Sequence, residues 1–329
     1  MNIKNTLRGI LYILLFFLIL CFILGFLNML HPLLDSLSHF RVYFLFLILI
    51  ILLLVSFFHE KRITLIYFGF IIMGLYYFYW LLQPFQVTSM DMNKTNHLKH
   101  LQFNLNFKNH RVSDLKEFLK ENSIDIVTLQ EVTSKHQKIL EEMQYEPFTI
   151  EFSKDYPYVS RKKGAYPYQQ YCEFQSVGGL AILSKYPINQ EKSICMKGEG
   201  LLSSQLIIHG QRINVVSLHL YWPFPYSQAE QVAKIKEVFR HVKAPLLIAG
   251  DFNAVSWSHS VKEIEEASST QVVNGLRWSI DLKKDLPFIP FMKLSIDHTL
   301  LSSEFEVNNI YVVKDFGSDH FPILTKFRY

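Results

Sequence analysis

Residues 246–258 read LLIAGDFNAVSWS and give the clearest indication of how the chain is built. The first four residues are apolar, as in a buried strand, and Gly250 permits a tight turn directly after them. Asp251 and Asn253 follow two positions apart, so in an extended chain they point the same way. One carboxylate and one amide side by side can orient a water molecule and hold a phosphate oxygen. The stretch therefore predicts a buried strand that ends in chemically active side chains.

Four further regions place polar residues at the ends of apolar strands. They are FNLN at 103–106, IDIVTLQEV at 124–132, INVVSLHL at 213–220, and the pair SIDHTLLSS at 295–303 and GSDHFPI at 317–323. Taken alone, the asparagines favour a turn, the glutamate fits either a cation ligand or a helix cap, and the histidine is more often structural. Each member of the last pair sets Asp beside His, and a carboxylate bonded to an imidazole raises its basicity. Together, in this order, the segments are difficult to explain as core packing.

Short apolar runs alternate with stretches of helical periodicity, and this alternation predicts the fold class. The predicted strands lie at 98–104, 125–129, 179–183, 205–208, 213–219, 246–250, 296–300, 307–313 and 322–327. The predicted helices lie at 112–121, 134–143, 226–241 and 258–267. Strands mixed with helices that cover their faces indicate an α/β layered domain.

Charge divides the chain into two parts. Of 33 Lys and Arg and 29 Asp and Glu residues, only five basic and two acidic ones lie before residue 91. The remaining 239 residues carry 28 basic and 27 acidic side chains, a formal net charge of +1. This balance excludes intrinsic disorder and argues against a domain that holds polyanions by bulk charge. Of the three cysteines, Cys172 and Cys195 are able to pair if their part of the chain lies in an oxidising compartment.

Three uncharged apolar stretches fill most of the first 90 residues, at 10–30, 42–58 and 63–82. Each reaches the roughly 17 to 20 residues that a membrane-spanning helix needs, and none has the polar face of a core helix. Basic residues precede the first stretch and fill the second loop, which places the N-terminus in the cytoplasm and, after three crossings, the remainder outside. We therefore predict a three-span transmembrane region at 1–85, a linker at 86–96 and a globular domain at 97–329.

The motifs resemble those of the endonuclease/exonuclease/phosphatase superfamily, which includes DNase I-like nucleases, abasic-site nucleases, neutral sphingomyelinases and inositol-phosphate phosphatases. The resemblance covers residues 97–329 and runs through FNLN, LQE, GLAILSKYPI, SLHL, GDFN, SIDHTLLS and GSDHFPI. It implies an α/β fold in the form of a four-layer sandwich, two mixed sheets flanked by helices, preceded here by three transmembrane helices. The Trp257-Ser258 pair, GLRW at 275–278 and the three spans are most similar to a bacterial membrane subgroup that includes phosphoesterases associated with glycopeptide-antibiotic resistance.

The resemblance also implies a metal site. Glu131 would be the main ligand of Mg²⁺, or of Mn²⁺ in its place, with Asn104 and Asp319 near it. Asn106 occupies a position where some members of the superfamily carry Asp, so the number of metal ions, one or two, stays open.

Five further residues acquire catalytic roles by the same resemblance. Asp251 would orient or deprotonate the attacking water, and Asn253 would hold a phosphate oxygen. His320, paired with Asp297, would be either the base or the donor to the phosphate in the transition state, and the resemblance leaves this choice open. His219 would contact the phosphate or assist the leaving group.

These roles imply a membrane-anchored, metal-dependent phosphoesterase of a bacterial plasma membrane, which hydrolyses a phosphodiester or phosphoanhydride by in-line attack of water. Because the predicted topology keeps the domain beside the lipid bilayer, a lipid phosphate or pyrophosphate is the first hypothesis for the substrate. The alternative is an anchored nuclease acting on DNA or RNA outside the cytoplasm, which the near-neutral domain disfavours. A scaffold without activity is a third class, disfavoured because all the expected functional residue types are present.

Three loops rich in aromatic residues flank the predicted catalytic end, at 155–171, 221–226 and 286–292. One reading is that they face the bilayer or a lipid tail, with the basic triplet 161–163 on a phosphate headgroup. The other is that they pack on the domain as ordinary loops.

Overall fold

The structure is a computed structural model. It describes residues 3–57, 61–81, 94–152, 157–281 and 292–329. The predicted linker 86–96 lies outside the described residues except for its last three, and the predicted aromatic loop 286–292 does so except for Met292.

Helices make up the first part of the chain. They are α1 (Ile3–Leu24), a 3-10 turn (Gly25–Leu27), α2 (Pro32–Ser38), α3 (Arg41–Ser56) and α4 (Lys61–Leu81). Within the described residues, one helical stretch, Asn5–Leu27, is by itself long and apolar enough to cross a membrane. Helices α2 and α3 meet at a bend of 60° and qualify only if both belong to one span, and Tyr67–Tyr77 is a shorter apolar helix. The structure thus gives one clear candidate span where the sequence predicts three.

Two six-stranded mixed sheets form the framework of the domain that follows these helices. The first has the order β15 (Glu306–Val312), β16 (Ile323–Arg328), β1 (His97–Asn104), β2 (Ile126–Val132), β6 (Gly178–Ser184) and β5 (Tyr168–Gln175). The second has the order β11 (Gln271–Val272), β14 (Asp297–Leu301), β10 (Leu246–Asp251), β9 (Gln211–His219), β8 (Leu201–Ile208) and β7 (Ile188–Met196). Two small hairpins complete the strands, β3 (Thr149–Phe152) with β4 (Pro157–Ser160) and β12 (Ile280–Asp281) with β13 (Lys293–Leu294).

Helices cover the outer face of each sheet. Helices α5 (Val112–Glu121) and α6 (Ser134–Glu141) share an apolar cluster with the first sheet, and α7 (Gln228–Phe239) and α8 (His259–Ser268) share one with the second. A third cluster, which includes Leu98, Ile182, Leu206 and Leu247, fills the space between the sheets. The order helix, sheet, sheet, helix is the α/β sandwich of two mixed sheets that the sequence predicts.

Strand pairing brings the ends of four strands and the beginning of a fifth to one place. Strands β1 and β2 run parallel, with Asn104 opposite Gln130. Strands β9 and β10 are also parallel, and Asp251 lies beside His219. On its other side, Asp251 lies opposite Asp297 of the antiparallel β14. Because parallel strands end at the same edge, the polar residues after each apolar run converge.

Every predicted strand and helix of the domain is present within a few residues of its predicted bounds. The prediction missed the short strands β3, β4, β11, β12 and β13, and it missed β5 and β7, each of which forms one edge of a sheet. Both strands are largely polar and half-exposed, so they lack the apolar run that reveals a buried strand.

Candidate active site

One end of the layer between the sheets is polar. Alternation along β1 directs Gln102 and Asn104 into this layer, and the facing sheet contributes His219, Asp251 and Asp297. The two sheets are joined here by hydrogen bonds: Gln102 donates to Asp297 at 2.7 Å and Asn104 donates to Asp251 at 2.9 Å. All five side chains are buried.

Glu131 reaches this end through an irregularity in β2. The register between β2 and β6 shifts between Leu129 and Val132, and Glu131 has a φ of +56°. A Cβ atom at Gly178 would lie 2.7 Å from the carbonyl carbon of Glu131, so the opposing strand needs glycine here. The bulge turns the carboxylate toward the polar end, where it accepts from the Asn104 amide at 3.1 Å and the backbone N–H of Phe107 at 2.9 Å.

Asn104 lies between the two carboxylates as a donor. Its Nδ2 donates to both Glu131 and Asp251, and its Oδ1 accepts the backbone N–H of Asn106. The amide therefore orients the two carboxylates. Its oxygen would face a metal bound between them only if the amide rotates.

Asp319 is held by the loop that follows β1. The Asn106 amide donates to the Asp319 carboxylate at 2.7 Å, and the Ser318 hydroxyl is 3.2 Å from the same oxygen. The backbone of Asn106 has a φ of +58°, which asparagine tolerates better than most residues. Although burial acts in the opposite direction, the nearby His320 and the bond from Asn106 lower the pKa of Asp319. Asp319 is therefore a carboxylate at neutral pH.

His320 and Asp297 form a buried pair, with Nδ1 of the imidazole 2.8 Å from the carboxylate. Burial alone would lower the pKa of His320, but the carboxylates of Asp297 and Asp251 outweigh it and raise this pKa to about 10. The imidazole is therefore protonated at neutral pH, with Nε2–H 3.7 Å from Asp251. Gln102, which fixes the other Asp297 oxygen, was missed by the sequence analysis; its place two residues before Asn104 on β1 was the available signal.

Asp251 and His219 form a second pair, with Nε2 of the imidazole 3.5 Å from the carboxylate. Burial raises the pKa of Asp251, against the opposing effect of His320. Burial also lowers the pKa of His219 to about 3, and the positive charge of His320 acts in the same direction. The two histidines therefore differ in charge at neutral pH, His320 positive and His219 neutral.

Asn253 lines the site, but not as part of the extended chain in which the sequence places it beside Asp251. Strand β10 ends at Asp251, and Asn253 lies in a turn with a φ of +48°. Its backbone N–H donates to Asp251 at 2.9 Å and its Nδ2 donates to the carbonyl of Leu220 at 2.8 Å. Its Oδ1 is buried and has no partner among the described residues. His298, by contrast, points to the helix-covered face and bonds the Ala254 carbonyl, as its structural role requires.

The donor set fits a divalent cation. Within the described residues, the carboxylates of Glu131, Asp251, Asp297 and Asp319 have no lysine or arginine partner, and the protonated side chain beside Asp251 and Asp297 is that of His320. Three of these carboxylates, on Glu131, Asp251 and Asp319, line the cleft, and this excess of carboxylates over one protonated imidazole suits a hard cation. The carboxylates of Asp251 and Asp297 also present oxygen atoms within 4.8 Å of each other.

The polar end opens into a cleft of about 710 Å³. Its floor contains Glu131, Asp251, Asp319 and His320, so the sequence-predicted residues converge on one opening. The wall also includes the segment 36–40 of the N-terminal helices. No motif in that segment signals this position.

Comparison with known proteins agrees with this geometry. A family model described as the endonuclease/exonuclease/phosphatase family matches residues 101–320. No curated protein matches the chain in sequence.

Three solved structures share the fold at low sequence identity. An endonuclease/exonuclease/phosphatase from Bacteroides vulgatus is 14% identical, with a TM-score of 0.52 over 71% of this chain and 99% of that one. Beta toxin from Staphylococcus aureus is 18% identical, with a TM-score of 0.51 over 69% and 99%. A humanized TDP2 of D. rerio is 17% identical, with a TM-score of 0.50 over 71% and 100%. At these identities the likeness concerns the fold alone.

Proposed function

The chain belongs to the endonuclease/exonuclease/phosphatase family, whose members are phosphoester hydrolases that depend on divalent metals, and on this premise we propose that it is a membrane-anchored phosphoesterase that hydrolyses a lipid phosphate or pyrophosphate. The observation that carries the proposal is the convergence of Glu131, Asp251 and His320 on one cleft whose wall includes part of the apolar N-terminal region.

The charges of the site suit attack by water on a phosphorus atom. Asp251, whose pKa burial raises, is placed to orient the water and accept its proton. His320, protonated and held by Asp297, donates from Nε2 to an oxygen of the phosphate. A bound Mg²⁺, held by Glu131 with Asp319 and Asn104 beside it, would neutralise charge on the phosphoryl oxygens.

His219 and Asn253 complete the proposed phosphate site. The neutral imidazole of His219 is held 3.5 Å from Asp251, and it contacts the phosphate or the leaving group. Asn253 is fixed by its backbone and amide bonds, which positions it to hold a phosphate oxygen. In this arrangement the donor role of His320 is favoured over the role of base, because an imidazole that is already protonated has no free lone pair.

The proposed location is a bacterial plasma membrane, with the N-terminus in the cytoplasm, three spans and the catalytic domain outside. The apolar stretch Asn5–Leu27, with Lys4 and Arg8 near its start, supports an N-terminal anchor. Cys172 and Cys195 form a disulfide, with Cα atoms 5.5 Å apart. Disulfides persist in oxidising compartments, which supports the outer side of the membrane.

A lipid substrate is favoured over nucleic acid by two features. The catalytic part of the chain has nearly balanced charge, whereas nonspecific nucleic-acid binding relies on a basic surface. The cleft also exposes apolar side chains close to its acidic floor, including Trp222 and Phe224.

The test is hydrolysis by the full-length protein in detergent micelles, with Mg²⁺ and with a chelator. We expect release of phosphate from a long-chain isoprenoid pyrophosphate, no cleavage of plasmid DNA, and loss of activity with the chelator. Glu131→Ala should lower kcat by about a thousandfold or more, while Glu142→Ala, an exposed glutamate remote from the cleft, serves as control. Cleavage of DNA alone would favour the anchored nuclease, and full activity of Glu131→Ala would refute the assigned site.

A further inference from the structure

The segment 36–40 forms part of the cleft wall although it belongs to the N-terminal helices. Ser36 lies in α2, and His39 and Phe40 join α2 to α3. All three line the same cleft as Asp251 and His320. The N-terminal helices therefore contribute side chains to the active site in addition to their place in the membrane.

Asp35 fixes this segment to the catalytic domain. Its buried carboxylate accepts the backbone N–H of His259 at 2.7 Å, and the backbone N–H and hydroxyl of Ser260, both at 3.1 Å. These are the first residues of α8, so a negative charge from one part of the chain completes the N-terminus of a helix in the other.

Trp257 makes a second attachment. Its indole N–H donates to the Ser38 carbonyl at 2.8 Å, and its own carbonyl accepts the Asn28 amide at 2.9 Å. The guanidinium group of Arg41 lies 5.5 Å from the centre of the Trp257 ring and donates to the Trp257 carbonyl at 3.3 Å. With both attachments in place, the wall is a fixed surface, because its backbone is held on two sides.

The lining of the cleft combines two kinds of side chain. Beside its acidic and imidazole groups it includes the apolar residues Phe40, Ile280, Met292 and Leu294, and Ile280 pairs with His320 through the backbone. Ile280 and Leu294 pack in one cluster with Met292 and with Tyr43 of α3. An apolar surface beside a phosphate site suits a molecule whose phosphate continues into a hydrocarbon chain.

We propose that the segment 36–40 determines specificity: Phe40 and the facing residues Met292 and Leu294 bind the part of the substrate's hydrocarbon chain nearest the scissile phosphate, so that the N-terminal helices select amphiphilic phosphate esters. This assignment rests on the proposed phosphoesterase activity. It predicts that the contribution of Phe40 appears in KM for a lipid phosphate and far less in KM for a short-chain ester of the same bond.

The experiment compares two substrates on the full-length protein in detergent with Mg²⁺. One is a long-chain isoprenoid pyrophosphate, and the other is a water-soluble pyrophosphate ester with a short alkyl chain. For Phe40→Ala we expect KM for the long-chain substrate to rise by about tenfold relative to KM for the short-chain substrate. Phe46→Ala removes an exposed ring from α3, the helix that follows Phe40, and should leave the ratio unchanged.

Phe40→Tyr provides a second variant if the alanine variant does not fold. It keeps the ring that packs near Phe44 and adds a hydroxyl group to the apolar side, which should disfavour the long-chain substrate in the same direction. An equal change for both substrates, or no change, in a folded variant would overturn the specificity assignment and leave the phosphoesterase proposal intact. Hydrolysis of neither substrate by the unaltered protein would overturn both.

Discussion

The space between the two sheets has two ends that are built from the same strands but differ in character. On β10, Leu247 and Asp251 both point into this space, the first toward the apolar cluster and the second toward the cleft. On β1, Leu98 likewise packs in the apolar cluster, whereas Asn104 lies at the polar end. The alternation of side chains is therefore unchanged from end to end, and only the residue types at the last inward positions separate core from active site.

The two ends have opposite effects on folding. At the apolar end, burial stabilises the domain by about 25 cal/mol for each Å² of apolar surface removed from water. At the polar end, carboxylates are withdrawn from water without a lysine or arginine partner among the described residues, and in the absence of metal this opposes folding. The apolar end therefore stabilises a sandwich whose other end holds unfavourable charges close together.

The largest effect on function is expected at Asp251. Asp251→Asn keeps the shape of the side chain but removes the group that orients and deprotonates water, so kcat should fall by about a thousandfold or more. Because burial raises the pKa of Asp251, the folded state disfavours its ionised form at neutral pH. In chelator, the neutral asparagine should therefore not lower the free energy of unfolding. Hydrolysis assays and urea unfolding measure the two quantities, and a large loss of stability would remove the contrast between the ends.

Leu247→Ala is the matched change four residues earlier on the same face of β10. It leaves a cavity in the apolar cluster and should lower the free energy of unfolding by about 2–5 kcal/mol. Activity per folded molecule should stay within about twofold when it is measured well below the unfolding temperature. Urea unfolding together with steady-state kinetics tests this, and a large fall in kcat of the folded variant would contradict the separation of the two ends.

The pH dependence of stability should reveal the buried pair His320–Asp297. The pKa of His320 in the folded state, about 10, lies above its ordinary value of 6.5. The pair therefore contributes fully below pH 6.5, and its contribution is lost as the pH rises toward 10, by at most about 1.4 kcal/mol per pH unit. Urea unfolding in chelator across this range should show the decline in the unaltered protein and a flatter profile in His320→Gln. The same slope in both proteins would refute the assigned charge of His320.

The smallest of these effects is expected for Gln102→Leu. The variant removes the amide that donates to Asp297 and so loosens the carboxylate that holds His320. We expect kcat to fall by about tenfold with little change in KM, because Gln102 positions Asp297 without touching the substrate. Kinetics over a range of pH provides the check: a purely structural role would leave the pH profile unaltered once the folded fraction is accounted for.

Much of the domain was predictable because its signals are local. The strands that end at His219 and Asp251 are largely apolar and buried, so each appears in the sequence as a short run that stops at a polar residue. The convergence of these ends was predictable too, since two of the pairings are parallel. The edge strands β5 and β7 were not, because their exposed positions carry polar residues that resemble loops.

The parts of the site that escaped prediction depend on contacts between distant segments. The left-handed backbone at Glu131 requires a glycine, Gly178, that lies on the neighbouring strand. The contribution of Phe40 to the cleft requires the N-terminal helices to dock on the loop before α8. Neither relation leaves a periodic pattern or a motif at the residue concerned.

Asp35 completes the first turn of α8 from 224 positions earlier in the chain. Ser258 satisfies one donor of that turn within the helix itself, whereas the N–H groups of His259 and Ser260 depend on Asp35. In an excised fragment that starts at residue 94, these two N–H donors of α8 would therefore lack their partner, and the indole of Trp257 would be exposed. We expect such a fragment to unfold more readily than the intact chain, by about 1–3 kcal/mol for the lost cap, as measured by hydrogen exchange at α8. A fragment without the apolar N-terminal helices would thus be a less stable enzyme that also lacks one side of its cleft.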